Sequence, residues 1–364
     1  MTENEIQPKI QQTIENLLRE TGFVQLKQIS SQQRIGKSRI DLLADVRING
    51  ENFKLIIEIK SPGEPRQVRA TVQQLMEYKE QLKYSGTVSG IIPKVKSQIY
   101  GIVAAPYITE DSARICKENN IGYIDLAGNC FLKFSKVFIE RKNYPNPFKE
   151  KRIVKSIFAP KASRILRVML SIPRKSWQLQ ELAKEADVSL GQTYKVKERM
   201  LNLEYASEEN KNIVLKRPEE LLAKWSEDYS FKKNKLYDYF SFGEPKNIEE
   251  KIANYCEKNN ITYALTLFSG LALVAPYARY TRVFVYIKEK IQKVVSAVEL
   301  KAVDSGANIT ILEPYDDGIF YGLQTIDRMQ VVVNIQLYLD LASYKGRGEE
   351  SARFLLEQKI KPQW

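Results

Sequence analysis

Apolar residues first recur at helical spacing over residues 6–21, where Ile10, Ile14, Leu17 and Leu18 share one face and Gly22 follows as a stop. Residues 38–48 and 53–60 then read as strands. Asn49-Gly50 joins them, and that pair is a strong hairpin signal because a type I′ turn needs positive φ at both central positions. In the run Ile56-Ile57-Glu58-Ile59-Lys60, alternation puts Glu58 and Lys60 on one face and Ile57 and Ile59 on the other. Helical spacing returns over 66–83. There Val68, Val72 and Leu75 face a core, while Gln74 and Tyr78, four apart, share a face.

Strand and helix go on alternating: a strand over 100–105 closed by Pro106, a helix over 110–118, and short strands over 122–126 and 130–134. This order predicts an α/β sandwich. The Pro- and Asn-rich residues 143–148 read as a domain boundary. From residue 136 to 167 there are ten Lys or Arg against two Glu, which suits a linker lying along a phosphate backbone or a plain solvated one.

Residues 160–217 carry helices over 163–171, 179–186 and 192–203, with Asp187-Val188 as a turn before Ser189. Ser189 and Gln192 form a capping-box pair, and Ile213-Val214-Leu215 follows the polar 208–212 as a wing. The pattern is that of a winged helix-turn-helix, which sets its second helix in the major groove. On this reading Gln192 and Thr193 sit at base edges while Lys195, Lys197 and Arg199 meet phosphates, and Ser189 and Lys211 are counted with them as DNA-binding residues. Winged helices also dock proteins, and the basic residues favour DNA. Beyond residue 225 come a helix over 248–258, an apolar stretch over 263–267, Ser269-Gly270 with a short apolar helix, strands over 282–287, 309–312 and 330–333, and helices over 336–342 and 349–358. The expected division is 1–142, a basic linker 143–159, a winged helix 160–224 and an α+β domain 225–364.

Composition narrows the chemistry. A chain of 364 residues with 43% apolar content exceeds one ordinary core. Three dispersed cysteines, Cys116, Cys130 and Cys256, suit free thiols in a reducing compartment rather than a disulfide framework. There is no histidine, which excludes His general bases, His-dependent triads and His-ligated zinc and leaves a hard cation held by oxygen, Mg²⁺ or Mn²⁺. The net charge of +12 favours polyanions, chiefly nucleic acid; an RNA-directed role fits the charge but has no motif behind it. The amino terminus is polar and the longest apolar stretch, 263–276, is too short to span a bilayer, so a cytoplasmic chain without membrane attachment is expected.

One stretch, residues 39–78, proposes a specific reaction. Metal-assisted phosphodiester hydrolysis needs carboxylates to hold the cation and a positive group near the developing charge. Asp41 and Glu58 supply the carboxylates, the Ile59 carbonyl a third oxygen, and Lys60 the positive group. The bland alternative is an exposed strand acid beside a same-face ion pair. Helix, strand, hairpin, strand ending in Glu58-Ile59-Lys60, then helix resembles the PD-(D/E)xK nuclease superfamily, with its restriction-endonuclease-like fold, over residues 1–140. Gln74-Leu75-Met76-Glu77-Tyr78 is similar to the QxxxY element of its RecB and lambda-exonuclease branch. The resemblance implies that Gln74 and Tyr78 lie beside the active site, and Glu15 is the nearest candidate for a first-helix glutamate. The family's proline is replaced by Ile40.

A second resemblance is to the AbiEi-type antitoxin and transcriptional-regulator family of type IV toxin–antitoxin systems. It rests on residues 122–129 (GYIDLAGN), on 264–275 with Ser269-Gly270, and on 331–356, the most specific stretch. It implies DNA binding for autoregulation, phage defence and a cognate toxin or defence partner. Asp125 and Asn129 are either functional or the cap of a strand-linking turn. The C-terminal region is faintly similar to a nucleotidyltransferase fold, degenerate because the paired acids are missing from Arg282-Val283-Phe284-Val285-Tyr286. The basic, aromatic residues 277–286, with Arg279 and Arg282, are a candidate contact surface. Two functions follow as expectations. One is a Mg²⁺-dependent deoxyribonuclease acting on double-stranded DNA, with a homodimer as one option. The other is a non-enzymatic AbiEi-like regulator whose nuclease fold is a scaffold.

Overall fold

The computed structural model describes residues 3–35, 38–84, 98–148, 157–276 and 279–364, so most of the basic part of the linker lies outside the described residues. The chain forms two compact units, Met1–Ile153 and Val154–Trp364. Both mix helices with a seven-stranded sheet.

The first unit runs α1 (Glu3–Glu20), β1 (Val24–Ile35), β2 (Ser38–Ile48), β3 (Glu51–Ile59), α2 (Pro65–Tyr84), β4 (Gln98–Ala105), α3 (Glu110–Glu118), β5 (Gly122–Asp125), β6 (Cys130–Phe134) and β7 (Val137–Arg141). Strands lie in sequence order, with β3, β4 and β5 parallel and the other neighbours antiparallel. Asn49 and Gly50 have φ of 48° and 88°, as the type I′ hairpin requires. That turn sets the register, pairing Leu42 with Ile57 and Leu43 with Ile56. One sheet face packs Leu42, Val46, Leu55 and Ile57 against the Ile6, Ile10, Ile14 and Leu18 stripe of α1. The other packs Ile56 and Val103 against Val68, Val72, Leu75 and Tyr78 of α2 and Ile115 of α3. Strand β3 is therefore covered on both sides, and Glu58 is its one buried charge, 2% exposed.

The second unit begins with α4 (Pro160–Ser171), α5 (Leu179–Glu185), α6 (Leu190–Asn202), β8 (Ala206–Glu209) and β9 (Asn212–Leu215). The β8–β9 hairpin gains a third extended segment at Trp177, whose N–H and carbonyl bond the carbonyl and N–H of Ile213 at 2.9 and 2.8 Å. There follow α7 (Pro218–Asp228), β10 (Lys235–Phe240), α8 (Pro245–Lys258), β11 (Tyr263–Leu265), α9 (Leu267–Val274), β12 (Val283–Ile287), α10 (Ile291–Ala297), β13 (Lys301–Ala302), β14 (Ile309–Glu313), β15 (Gln324–Ile326), β16 (Met329–Val331), α11 (Asn334–Ala342) and α12 (Arg347–Leu355). The large sheet is ordered β13-β10-β14-β12-β11-β16-β15, with β12–β14 and β11–β16 parallel.

One continuous apolar core runs from Ile157 to Ile360. A buried polar chain crosses it. Asp340 accepts from Tyr229 at 2.6 Å, from Tyr286 at 3.1 Å, from the Gln336 amide at 2.9 Å and from Thr266; Gln336 Oε1 accepts from Arg167 Nη2 at 2.7 Å. The Arg167 guanidinium also lies over the Trp225 ring. The first helix of this unit is thereby tied into the sheet layer, since burying so many polar groups is tolerated only when they bond one another. Among the described residues, no helix is long and apolar enough to cross a membrane.

Candidate functional site

The β2–β3 ladder ends at Leu42↔Ile57, yet β3 continues to Ile59 and stays paired with β4 as far as Ala104. The two strands part at Asp41. The N–H of Ile59, which the ladder would otherwise satisfy, donates instead to Asp41 Oδ2 at 2.7 Å. A strand residue aims its N–H and carbonyl to the same side, so the Ile59 carbonyl faces this gap too. Glu58 shares its sheet face with Ile56, the face that α2 covers. Its Oε2 accepts from Lys60 Nζ at 3.4 Å, while its buried Oε1 has no hydrogen-bond partner.

Burial, and then the charge of Asp41, push the Glu58 carboxyl up to about 7 against the pull of Lys60. An orphaned buried carboxylate oxygen beside a second carboxylate is the donor set a hard cation takes. Asp41, Glu58 and the Ile59 carbonyl therefore fit Mg²⁺ or Mn²⁺ in kind. Among the described residues no group of three or more Asp, Glu or Cys is arranged to hold a metal, so the set is two acids and a carbonyl. Behind Lys60 the chain turns at Gly63, whose carbonyl accepts from Ser112 Oγ at 2.9 Å. A Cβ on Gly63 would stand 2.3 Å from the Tyr107 carbonyl oxygen, so only glycine lets the turn lie against that strand end.

Gln74 and Tyr78 are joined to each other, the Gln74 amide donating to the Tyr78 hydroxyl, and Tyr78 is buried in the layer that covers Ile56. Glu15 accepts from Gln11 one turn back at 3.1 Å, on the helix covering the opposite face. Asp125 and Asn129 are occupied structurally. Asp125 takes the N–H groups of Ile108 and Asn129 and the Asn129 amide at 3.1, 2.8 and 2.9 Å, and Asn129 exchanges bonds with the Tyr144 backbone.

In the second unit Ser189 caps α6, its hydroxyl accepting from Gln192 N at 3.4 Å. Gln192 is half-buried, Lys195 and Lys211 are exposed, and neither lysine carries an ion pair among the described residues. One expected DNA contact is corrected, and two others are partly occupied within the unit. Thr193 is buried, its hydroxyl spent on the Ser189 carbonyl at 3.1 Å, because it lies on the inward stripe with Val196 and Met200. Lys197 is 11% exposed and held by Glu208 of the hairpin at 2.9 Å. Arg199 is half-buried, its guanidinium held below its ordinary value by burial. Arg282, about a third exposed, lies on an open sheet face, where it donates to Thr310 Oγ1 at 2.9 Å and pairs with Asp238; Tyr277 and Ala278 lie outside the described residues.

The strongest polar constellation of this unit, Arg167-Gln336-Asp340, escaped the sequence reading. Its signal was there: a Gln and an Asp four apart in the largely apolar helix α11. These two residues belong to the region that comparison with known proteins picks out.

Residues 214–361 match the family described as "Transcriptional regulator, AbiEi antitoxin, Type IV TA system". The match takes in 264–275 and 331–356, whereas residues 122–129 fall outside it, in the first unit. No curated protein matches the chain. Among solved structures, a repair endonuclease from Pyrococcus abyssi is similar at 17% identity, over 31% of this chain and 45% of that one, with a TM-score of 0.22. EndoMS in a double-stranded DNA complex gives 18%, 31%, 42% and 0.21, and apo EndoMS gives 17%, 35%, 46% and 0.19. The chain thus spans less than half the length of each of these.

Proposed function

We propose that the chain is a DNA-binding protein that cleaves phosphodiester bonds with Mg²⁺ or Mn²⁺ in its first unit. The observation that carries this reading is the buried Glu58 carboxylate, with one oxygen unpartnered, set beside Asp41 where β2 and β3 part. Asp41, Glu58 and the Ile59 carbonyl would hold the cation, which when bound polarises the phosphate and makes a water a better nucleophile. The chain's own groups do the rest. The Ile59 N–H fixes the rotamer of Asp41. Lys60, a quarter exposed beside Glu58, offsets charge developing on the phosphate oxygens. Gln74 and Tyr78 orient the substrate from α2.

On this reading residues 1–142 are a restriction-endonuclease-like domain, 143–159 a linker, 160–224 a winged helix-turn-helix that brings duplex DNA to the protein, and 225–364 an AbiEi-like module with a degenerate nucleotidyltransferase-like sheet. The match over residues 214–361 favours a second reading, a regulator or antitoxin in a phage-defence setting, with a cognate toxin as partner and a nuclease fold that only scaffolds.

Incubation of linear, circular and single-stranded DNA with Mg²⁺ or Mn²⁺ separates the two. The nuclease reading expects cleavage that Asp41→Ala and Lys60→Ala abolish. Equal activity, or none, in the wild type and both variants overturns it and leaves the regulator.

A further inference from the structure

Fourteen glycines fall within the described residues, and thirteen have an internal reason to be glycine. Some take positive φ, such as Gly22 and Gly243; others lie where a Cβ would collide, such as Gly318 and Gly348, at 2.6 and 2.5 Å from the nearest atom. Gly191 has neither reason. A Cβ there meets nothing within 4 Å, and its φ is negative. Gly191 is the second residue of α6, and even in a first turn glycine gives up more chain freedom on folding than alanine, though less is lost than in a helix interior. With nothing gained inside the molecule, an outside partner that approaches the bare backbone gives this glycine a use.

The surroundings say what approaches. Thr193, Val196 and Met200 face inward, so Gly191, Tyr194, Lys195 and Glu198 form the outward face of α6. Tyr194 and Leu190 are 51% and 46% exposed, large for free surface. Lys195 is exposed and unpaired among the described residues, as is Lys211 at the hairpin tip, in a chain of net charge +12. Asn210 and Lys211 both hold positive φ, 51° and 67°, so the tip keeps a lysine where a glycine would be relaxed. A polyanion with a groove that admits a helix answers both the charge and the bareness.

We infer that Gly191 is the point of closest approach between α6 and duplex DNA, with Tyr194 and Lys195 flanking the contact. The inference rests on the DNA-binding reading given above and adds the residue at which the backbone itself must be bare.

The test uses Gly191→Ala in the full chain, because stability and binding should then move in opposite directions. Thermal melting should rise by about 1–2 °C, the effect of relieving a first-turn glycine in a unit of this size. Affinity for a short random-sequence duplex, and for a duplex spanning the DNA upstream of its own gene, should fall by roughly tenfold, as for one lost close contact. Unchanged affinity overturns the inference and leaves DNA binding intact. A fall in melting temperature overturns it too, since Gly191 would then serve the fold. A wild-type chain that binds neither duplex at low salt overturns both this inference and the reading beneath it.

Discussion

Asp41 and Ile59 are linked across the parting of two strands by a single side-chain-to-backbone bond of 2.7 Å. The bond does two jobs, completing the hydrogen bonding of the β3 end and aiming a carboxylate at Glu58. Asparagine can do the first and not the second. Asp41→Asn should therefore keep stability within about 0.5 kcal/mol of the wild type, while Asp41→Ala loses about 1 kcal/mol with the bond. Both should lower metal-dependent DNA cleavage by at least about a hundredfold. Urea unfolding beside a cleavage assay separates the roles. Full cleavage by Asp41→Asn would show that the charge is not used.

Glu58 gives the first unit a pH signature. Burial first, and Asp41 second, raise its carboxyl from the ordinary range to about 7. The folded state thus holds a proton that the unfolded chain has released. That stabilisation is full below pH 4.5 and is lost as pH rises through about 7, at most about 3 kcal/mol in all. Without metal, melting of this unit should drop between about pH 5 and pH 8, and Glu58→Gln should flatten the drop. Adding Mg²⁺ or Mn²⁺ at the higher pH should raise the melting point of the wild type and not of Glu58→Gln. Equal response of the two proteins would remove Glu58 from the metal set.

What the sequence made legible follows the range of the interactions. The juxtaposition of Asp41, Glu58 and Lys60 was readable because a two-residue turn fixes the register of β2 on β3 and alternation then fixes the faces. Strand β1 was not readable. Its register slips between Leu26 and Gln28, which breaks the two-residue period, and as an edge strand it leaves most of its residues polar. Thr193 lay within reach, since the 193-196-200 stripe marks an inward face. The pairing of Lys197 with Glu208 was not, because it depends on how the hairpin folds back on α6. Nor could sequence spacing bring Arg167 to Gln336, 169 residues away.

That last pair predicts a fragile point far from any surface. Arg167 is 1% exposed and bonds Gln336, not a carboxylate directly, and one of its nitrogens has no partner. Removing its charge leaves Gln336 and Asp340 without their counterweight, a loss of about 3–5 kcal/mol. Arg167→Ala should therefore unfold the second unit at markedly lower urea, seen as an early step in the unfolding of the whole chain. A shift worth under about 1 kcal/mol would mean that the polar chain is incidental.

Asp340 adds a pH test of the same chain. Burial raises its carboxyl to about 6 against four hydrogen-bond donors. Its contribution to stability is thus complete below the ordinary aspartate range, near pH 4, and is lost as pH climbs through about 6. Glu249, pushed up to about 7 by burial and held by Tyr280 at 2.8 Å, acts with the same sign. The stability difference between wild type and Asp340→Asn should therefore shrink between about pH 4 and pH 7. A pH-independent difference would assign the loss to hydrogen bonding alone.

The lysines of α6 and its hairpin should divide by partner rather than by position. Lys195 and Lys211 are exposed and unpaired among the described residues, so each can displace counterions from a phosphate backbone. Lys197 sits between them in sequence, but Glu208 already neutralises it at 2.9 Å and it leans on the Tyr194 ring. Moving it to a phosphate would leave Glu208 facing the same polyanion. In a plot of log affinity for duplex DNA against log salt, Lys195→Ala and Lys211→Ala should each reduce the slope by about one. Lys197→Ala should leave the slope nearly unchanged and weaken binding only as far as it loosens the hairpin. Equal slope changes for all three would mean that the ion pair with Glu208 opens when DNA arrives, and that the hairpin moves with it.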